Sequence, residues 1–156
     1  MPRVIYREAG KSDVPAMARI RALTWGTEDH WKIRITAYMD RQLHPRQALT
    51  ARVSYVALNE NLVVGLIAGH LTQRFGCEGE LQWIDVIPER RGSGVAAGLL
   101  RHLAAWFAEQ KARRICVDVD PANAAARRFY TRHGAEELNP HWLVWNDIKI
   151  ALDNKR

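Results

Sequence analysis

The sequence is poor in cysteine and has no long apolar run. Its two cysteines, Cys77 and Cys116, form no Cys-x-x-Cys pair, which argues against a zinc site or a redox motif of that spacing. We expect both to be reduced structural residues. No window holds the roughly 18 to 20 uncharged apolar residues of a membrane span, and the first residues lack the apolar segment of a signal peptide. We therefore expect a cytoplasmic protein with no membrane partner.

Close pairs of metal ligands are also missing. None of the six histidines stands in a His-x-x-x-His arrangement, so we predict no metal site. Repeats, linkers and low-complexity segments are absent as well. The 156 residues, of which 47% are hydrophobic and 26% charged, are typical of one globular domain, and we assign residues 1–156 to a single domain.

Positive charge is concentrated in one part of the chain. The formal net charge is +6, and residues 90–132 hold nine basic and three acidic side chains, so this segment carries the whole excess. A local positive field indicates a compact polyanionic ligand. A basic nucleic-acid binder is the rival interpretation, but the basic residues surround a glycine loop and are not interleaved with aromatic residues, so we expect no nucleic-acid partner.

Hydrophobic periodicity predicts alternating strands and helices. The predicted strands are 4–8, 51–58, 62–74, 81–87, 114–119 and 142–145, and the predicted helices are 12–23, 28–43, 94–111 and 122–133. Ser12 is the expected cap of the first helix, Asn59 to Asn61 the expected hairpin turn, and 149–156 a charged tail. This order predicts a mixed α/β (α+β) fold, with a mostly antiparallel central sheet and helices on both faces.

A glycine-rich segment between a strand and a helix is the most informative motif. Gly92 and Gly94 allow the backbone to curl so that N–H groups converge on one anion at a helix N-terminus. A P-loop needs Gly-Lys-Ser/Thr, which is absent. The spacing Gly92-x-Gly94-x-x-Ala97 and an acidic Asp118 also fit a dinucleotide fold, but residues 88–91 separate the strand from the first glycine.

Two motifs together carry a family resemblance. Arg91-x-x-Gly94-x-Ala96 resembles the phosphate-binding motif of the GNAT superfamily of acyl-CoA-dependent N-acetyltransferases. About thirty residues later, Asn123 followed by Phe129-Tyr130 and a closing glycine resembles the second signature of that family. The predicted order of elements agrees with a GNAT-like fold. The resemblance implies acetyl-CoA as co-substrate and an amine as acceptor.

The resemblance also implies a coenzyme site. Its pyrophosphate would lie on the backbone amides of Arg91, Gly92, Ser93, Gly94, Val95 and Ala96. The main chain of Ile84 and Val86 would pair with the pantetheine arm, and Asn123 would contact that arm, although a helix N-cap is an equally natural role for Asn123. One of Arg90, Arg127 and Arg128 would meet the 3'-phosphate.

Catalytic roles follow from the same resemblance. Tyr130 would protonate the leaving thiolate after direct attack by the amine, and neither cysteine matches a nucleophile position of the family, which argues against a ping-pong route. Glu80 would be the general base, with Asp85 or a water chain as alternatives. A regular strand puts Glu80 on the face of the even-numbered residues and Asp85 on the opposite face. A bulge, frequent here in the family, would break that parity.

The acceptor is a small-molecule or peptide amine that the sequence does not identify. In the resembled family the segment between the first two helices roofs the acceptor site, so an aromatic and acidic roof of Trp25, Trp31, Glu28 and Asp29 would suit a cationic amine. A homodimer is a further expectation, with strand 142–145 pairing across an axis. The alternative function is a non-catalytic acyl-CoA sensor or interaction module.

Overall fold

The computed structural model describes residues 3–153, which form a seven-stranded sheet with four helices. The strands are β1 (Val4–Glu8), β2 (Ala48–Asn59), β3 (Leu62–Thr72), β4 (Gly79–Val86), β5 (Ile115–Asp118), β6 (Glu136–Asn139) and β7 (Trp142–Trp145). The helices are α1 (Val14–Ala22), α2 (Glu28–Met39), α3 (Val95–Glu109) and α4 (Ala124–Arg132). Within residues 3–153, no helix has the length and apolarity needed to cross a bilayer.

The sheet has the order β1-β2-β3-β4-β5-β7-β6 and is antiparallel except for the pair β4 and β5. Helix α3 makes the crossover between those two parallel strands. The predicted mixed, mostly antiparallel fold is therefore confirmed. Strand β7 lies between β5 and β6, so residues 142–145 themselves have no free edge for pairing across a dimer axis, and the edge strand at this end of the sheet is β6.

Both faces of the sheet are covered, as predicted. On one face, α3 and α4 pack on the sheet in a core that includes Leu99, Leu103, Phe107 and Tyr130. On the other face, α1 and α2 form a second core around buried aromatic rings: the ring centroids of Trp31 and Trp83 are 5.7 Å apart. Each helix is thus stabilised mainly by the apolar stripe that it buries against the sheet.

Tertiary contacts move several predicted boundaries. Asp13, not Ser12, is the N-cap of α1, and its carboxylate accepts from the Gly10 N–H at 2.8 Å. Helix α2 ends at Met39 rather than near residue 43, because Arg41 takes a left-handed φ of 61°. The hairpin turn is where it was predicted.

Two segments at the C-terminal end were misjudged. The edge strand β6 was not anticipated, because its sequence is mostly polar. The predicted charged tail begins with a single 3-10 turn, Ile148–Ala151, in which Ile148 and Ala151 are buried against the α3 core. Residues 154–156 of that predicted tail lie outside the described residues.

An extra residue interrupts the pairing of β4 with β3. Trp83 pairs with Ala68, whereas the next β3 residue, Gly69, pairs with Leu81, so Gln82 is the unpaired residue of a β-bulge. The bulge reverses the side-chain alternation. Glu80 and Asp85 pair with His70 and Leu66, two residues on one face of β3, so the expectation that they lie on opposite faces is wrong.

The two parallel strands separate at the same place. Strand β4 pairs with β5 only from Gly79 to Leu81, while its pairing with β3 continues to Val86. Residues 82–86 of β4 consequently have no strand partner on the β5 side within the described part of the chain. Unpaired backbone groups along a sheet edge accept an extended ligand as an added strand.

Gly79 controls how closely β4, β5 and α3 approach. A Cβ on this buried glycine would collide with the Phe107 ring and would lie 2.8 Å from Ile115 Cδ1. We expect Gly79→Ala to lower the free energy of unfolding by about 1–3 kcal/mol, the usual cost of overpacking. Gly10→Ala is the matched control, because its Cβ would have only one neighbour, Asp13 Oδ2, at 3.9 Å. Chemical denaturation measures the free energy of unfolding of both variants. Equal values for Gly79→Ala and Gly10→Ala would contradict the prediction.

Candidate functional site

Three adjoining cavities follow the opening between β4 and β5. The large cavity, about 820 Å³, lies beneath the α1–α2 segment; the middle cavity, about 610 Å³, lies between β4 and α4; and the loop cavity, about 330 Å³, lies at residues 90–97. Ile84, Asn123 and Tyr130 line both the large and the middle cavity. Val86 and Gly92 line both the middle and the loop cavity. The cavities therefore form one continuous groove.

The glycine loop presents backbone donors to the loop cavity. Gly92 and Gly94 have φ angles of 76° and 90°, which favour glycine, and a Cβ at either residue would point into open space. The N–H groups of residues 94–97 have no acceptor within residues 3–153, and they stand at the N-terminus of α3. Four free donors beside the positive end of a helix are the arrangement to which anions bind in proteins.

Not all of the predicted loop amides are free. The Arg91 N–H donates to the Pro88 carbonyl at 3.2 Å, and the Ser93 N–H donates to the Arg90 carbonyl at 3.3 Å. These two bonds close the turn that aims the amides of residues 94–97 at the cavity. The roles predicted for Arg91 and Ser93 as amide donors to the ligand remain predictions.

Arginines surround the same cavity. Arg90, Arg91 and Arg132 line it, and Nε of Arg90 is buried with no hydrogen-bond partner in the described chain. Arg127 is engaged elsewhere, since it donates to Glu137 Oε1 at 2.8 Å and to the Pro140 carbonyl at 3.1 Å. Of the three predicted phosphate partners, only Arg90 lies at the loop cavity. Arg132 was missed, although its spacing of three from Phe129 puts both on one helix face.

Tyr130 stands at the junction of the large and middle cavities. Its side chain is buried, with the ring edge-on to Trp145 at 5.8 Å between centroids. Burial raises the pKa of Tyr130, and the nearby Asp85 raises it further while Arg21 lowers it. The phenol therefore keeps its proton at neutral pH and is suited to act as an acid.

Asn123 begins helix α4. Its Oδ1 accepts from the Ala126 N–H at 3.1 Å, so the N-cap role is observed. The residue also lines the large and middle cavities. Capping leaves the side-chain amide nitrogen as a donor toward the groove, and the predicted contact with a ligand is compatible with the cap.

Asp85 is held by a cation. The Arg21 guanidinium donates to Asp85 Oδ2 at 2.5 Å and lies over the Trp31 ring, 4.4 Å from its centroid. Burial raises the pKa of Asp85, whereas the charge of Arg21 and its hydrogen bond act in the opposite direction. Because the carboxylate is already occupied by Arg21, it is a poorer candidate base than an uncommitted carboxylate.

Glu80 is such a carboxylate, backed by a buried histidine. It is 4% exposed, lines the large cavity, and its Oε1 lies 3.5 Å from His70 Nε2. His70 Nδ1 lies 2.9 Å from the hydroxyl of Tyr38, whose pKa is raised by burial. The two ring nitrogens of His70 therefore have different neighbours: Nδ1 contacts the Tyr38 hydroxyl, and Nε2 is the nitrogen nearest to Glu80.

The roof of the large cavity differs from the expected acidic one. Trp25, Trp31, His30 and Arg34 line the cavity, whereas Glu28 and Asp29 line none of the three cavities. Thr27 caps α2, with its hydroxyl accepting from the His30 N–H at 3.0 Å. The aromatic part of the expected roof is present, and the acidic part is replaced by basic side chains.

Cys77 and Cys116 are free and buried, and neither is among the lining residues of the three cavities. Within residues 3–153, no cluster of three or more His, Cys, Asp or Glu side chains is arranged to hold a metal ion.

Comparison with known proteins identifies relatives at the level of sequence family and fold. Residues 17–135 match the family described as Acetyltransferase (GNAT) family. No curated protein matches the sequence.

Solved structures of low sequence identity share the fold. A GNAT-family protein from Desulfovibrio desulfuricans, described as a putative acetyltransferase, aligns with a TM-score of 0.75 at 16% identity, covering 94% of this chain and 99% of its own. The PaiA N-acetyltransferase of Thermoplasma acidophilum, in complex with coenzyme A, aligns with a TM-score of 0.70 at 13% identity, covering 91% and 96%. An aminoglycoside N-acetyltransferase in complex with CoA aligns with a TM-score of 0.74 at 18% identity, covering 89% and 91%.

Proposed function

The chain belongs to the GNAT family of acetyltransferases, and we propose that it transfers the acetyl group of acetyl-CoA to a primary amine of a small molecule or peptide. The observation that carries this proposal is the continuous groove, in which an anion site, an open strand edge, a protonated phenol and a buried carboxylate follow one another. A homodimer and a cytoplasmic location remain predictions.

The groove fits coenzyme A. The free N–H groups at the start of α3, with Arg90, Arg91 and Arg132 beside them, match the charge of a pyrophosphate and a 3'-phosphate. The open edge of β4 at Ile84 and Val86 offers backbone groups to the amides of the pantetheine arm. An arm laid along this edge leads to Tyr130.

The reaction is a direct transfer in a ternary complex. Glu80 takes a proton from the acceptor ammonium, because only the neutral amine has a lone pair for attack on the thioester. The new N–C bond forms as the C–S bond breaks, backbone N–H groups polarise the carbonyl oxygen, and the departing thiolate takes the proton of Tyr130. The nitrogen then loses its second proton, which returns Tyr130 to the neutral phenol and leaves the amide and the CoA thiol. His70, behind Glu80, positions the carboxylate.

The alternative is a non-catalytic acyl-CoA sensor. A sensor needs the anion site and the open strand edge but has no use for a buried phenol and a buried carboxylate facing the neighbouring cavity. The presence of Tyr130 and Glu80 on the same cavity favours the enzyme. Release of free CoA thiol in the presence of amines distinguishes the two functions.

The anion site is tested at Gly94. We expect Gly94→Asp to weaken acetyl-CoA binding by about 10-fold or more, because a carboxylate at the helix N-terminus repels phosphate and neutralises the positive end of the helix dipole that would attract it. Gly94→Asn is the matched control, since asparagine has nearly the same shape and tolerates positive φ. Isothermal titration measures the affinity of both variants for acetyl-CoA. Equal binding by the two variants would contradict an electrostatic role for this position.

Tyr130→Phe tests the proton donor. We expect kcat to fall by about 100-fold, with the KM for acetyl-CoA changed little, because the ring stays and only the proton is lost. Since burial raises the pKa of Tyr130, loss of its proton does not limit the wild-type rate at or below about pH 10, the ordinary value for tyrosine. A fall in the wild-type rate between pH 8 and 9 that disappears in Tyr130→Phe would contradict the raised pKa of Tyr130. A kcat of Tyr130→Phe close to the wild-type value would refute its role as the proton donor.

Glu80→Gln tests the base against Asp85→Asn. We expect Glu80→Gln to lower kcat by about 100-fold or more and to regain activity as rising pH deprotonates the free amine in solution. Asp85→Asn should have the smaller effect, because Asp85 is paired with Arg21. The assignment fails if Asp85→Asn shows the larger loss together with the recovery at high pH.

A further inference from the structure

The walls of the large cavity carry both signs of charge in equal number. Its charged lining residues are Arg21, Arg34, Arg74, Glu80, Asp118 and Asp120. A cavity built for a polycation would be lined mainly by carboxylates. Because Arg21 is paired with Asp85, two arginines and three carboxylates remain for a ligand, so the cavity offers partners to both an ammonium and an anionic group.

Two of the three arginines have no carboxylate partner. Arg21 is paired with Asp85, but neither Arg34 nor Arg74 lies within ion-pair distance of an acidic side chain in the described chain. Arg74 shares the cavity wall with Asp118, whose pKa burial raises and Arg74 lowers, without forming an ion pair with it. These two guanidinium groups retain their capacity for an anion of the ligand.

Stacking fixes the guanidinium of Arg74. Its Cζ lies 4.3 Å from the centre of the Trp142 ring and 5.7 Å from that of Phe75. Stacking on a ring face leaves the N–H edge of the guanidinium available for hydrogen bonds, and that edge matches the geometry of a carboxylate or a phosphate. Arg74 is therefore preorganised to bind an oxyanion.

Glu80 needs a cationic partner, whereas Arg74 needs an anionic one. Its Oε1 is buried, lies 3.5 Å from His70 Nε2 without a hydrogen bond to it or to any other group within residues 3–153, and belongs to a side chain that lines the same cavity. An ammonium group supplies both the donor and the charge that this atom lacks. One ligand that spans the cavity would satisfy Glu80 with its amine and Arg74 with its anion.

We propose that the acceptor is a small zwitterionic amine whose carboxylate or phosphate binds Arg74 and Arg34 while its amine lies at Glu80. This inference rests on the proposed function and names the substrate class. The cavity, about 820 Å³, is in the usual range for small-molecule sites. An aminoglycoside tests whether a second ammonium is instead bound by Asp118 and Asp120, which line the same cavity.

The test measures release of CoA thiol with matched acceptors. The panel holds α-amino acids, the amines that lack their carboxylates, aminoalkyl phosphates and an aminoglycoside. We expect kcat/KM for an amine with an anionic group to exceed that of its uncharged counterpart by about 10- to 100-fold, as for a charge-assisted hydrogen bond. The amino-acid and phosphate arms decide which oxyanion is preferred.

Variants of the two unpaired arginines test whether they cause the preference for an anionic acceptor. Arg74→Gln should raise the KM for the anionic acceptor by about 10-fold or more, while the KM for acetyl-CoA and the rate with the uncharged amine stay near wild type. Lys32→Gln is the control, because Lys32 is an exposed cation on α2 that lines none of the three cavities. Arg34→Gln should act in the same direction as Arg74→Gln.

The possible outcomes distinguish failure of the zwitterion proposal from failure of the proposed function. Acetylation of amines without a preference for an anionic group, or with a preference for the aminoglycoside, overturns the zwitterion proposal and leaves the acetyltransferase standing. A preference that Arg74→Gln and Arg34→Gln leave intact also overturns it. If acetyl-CoA binds and none of the acceptors is acetylated, the proposed function fails, and this inference fails with it.

Discussion

Beyond Leu81, strand β4 keeps its hydrogen bonds to β3 but loses β5 as a neighbour, and the groove exists because of that separation. The bulge at Gln82 occurs at the same point and changes the direction in which the following side chains point. Had the two parallel strands continued side by side, the backbone of residues 84–86 would be paired within the sheet. The middle cavity would then have no room, and Tyr130 would face a closed wall.

The region around this opening is held by buried polar contacts rather than by apolar packing alone. Arg52 is buried, and its guanidinium donates to the carbonyls of Leu43 at 2.7 Å and Leu49 at 3.0 Å while lying over the Tyr38 ring. These bonds tie the loop after α2 to the sheet. Arg21 ties α1 to β4 in the same way through Asp85. The roof of the large cavity is thereby attached to the strand that carries Glu80.

Local signals in the sequence were sufficient for the loop, the long helix and the overall order of elements. Gly92 and Gly94 need positive φ, and α3 shows a clear apolar stripe, so both are properties of neighbouring residues. The misjudged features depend on distant residues. The face occupied by Glu80 depends on a bulge opposite Ala68 and Gly69, and the polar edge strand β6 exists only because β7 offers it a partner.

The roof illustrates a further limit of sequence reasoning. Glu28, Asp29, His30 and Arg34 all lie near Trp25 and Trp31 in the chain, and only the position at which α2 begins decides which of them face the cavity. Thr27 caps the helix, and the rotation that follows turns His30 and Arg34 inward. A charge pattern alone therefore predicted the wrong sign for this wall.

The bulge also explains how two carboxylates on one strand acquire different roles. With Glu80 and Asp85 on the same face, their environments and not their orientation distinguish them. Asp85 meets a guanidinium at 2.5 Å, which commits its charge to structure. Glu80 meets an imidazole instead of a guanidinium, with its Oε1 3.5 Å from His70 Nε2. Under the proposed function a base must be free to meet the substrate ammonium, and of these two carboxylates Glu80 is the one that is not paired with a guanidinium.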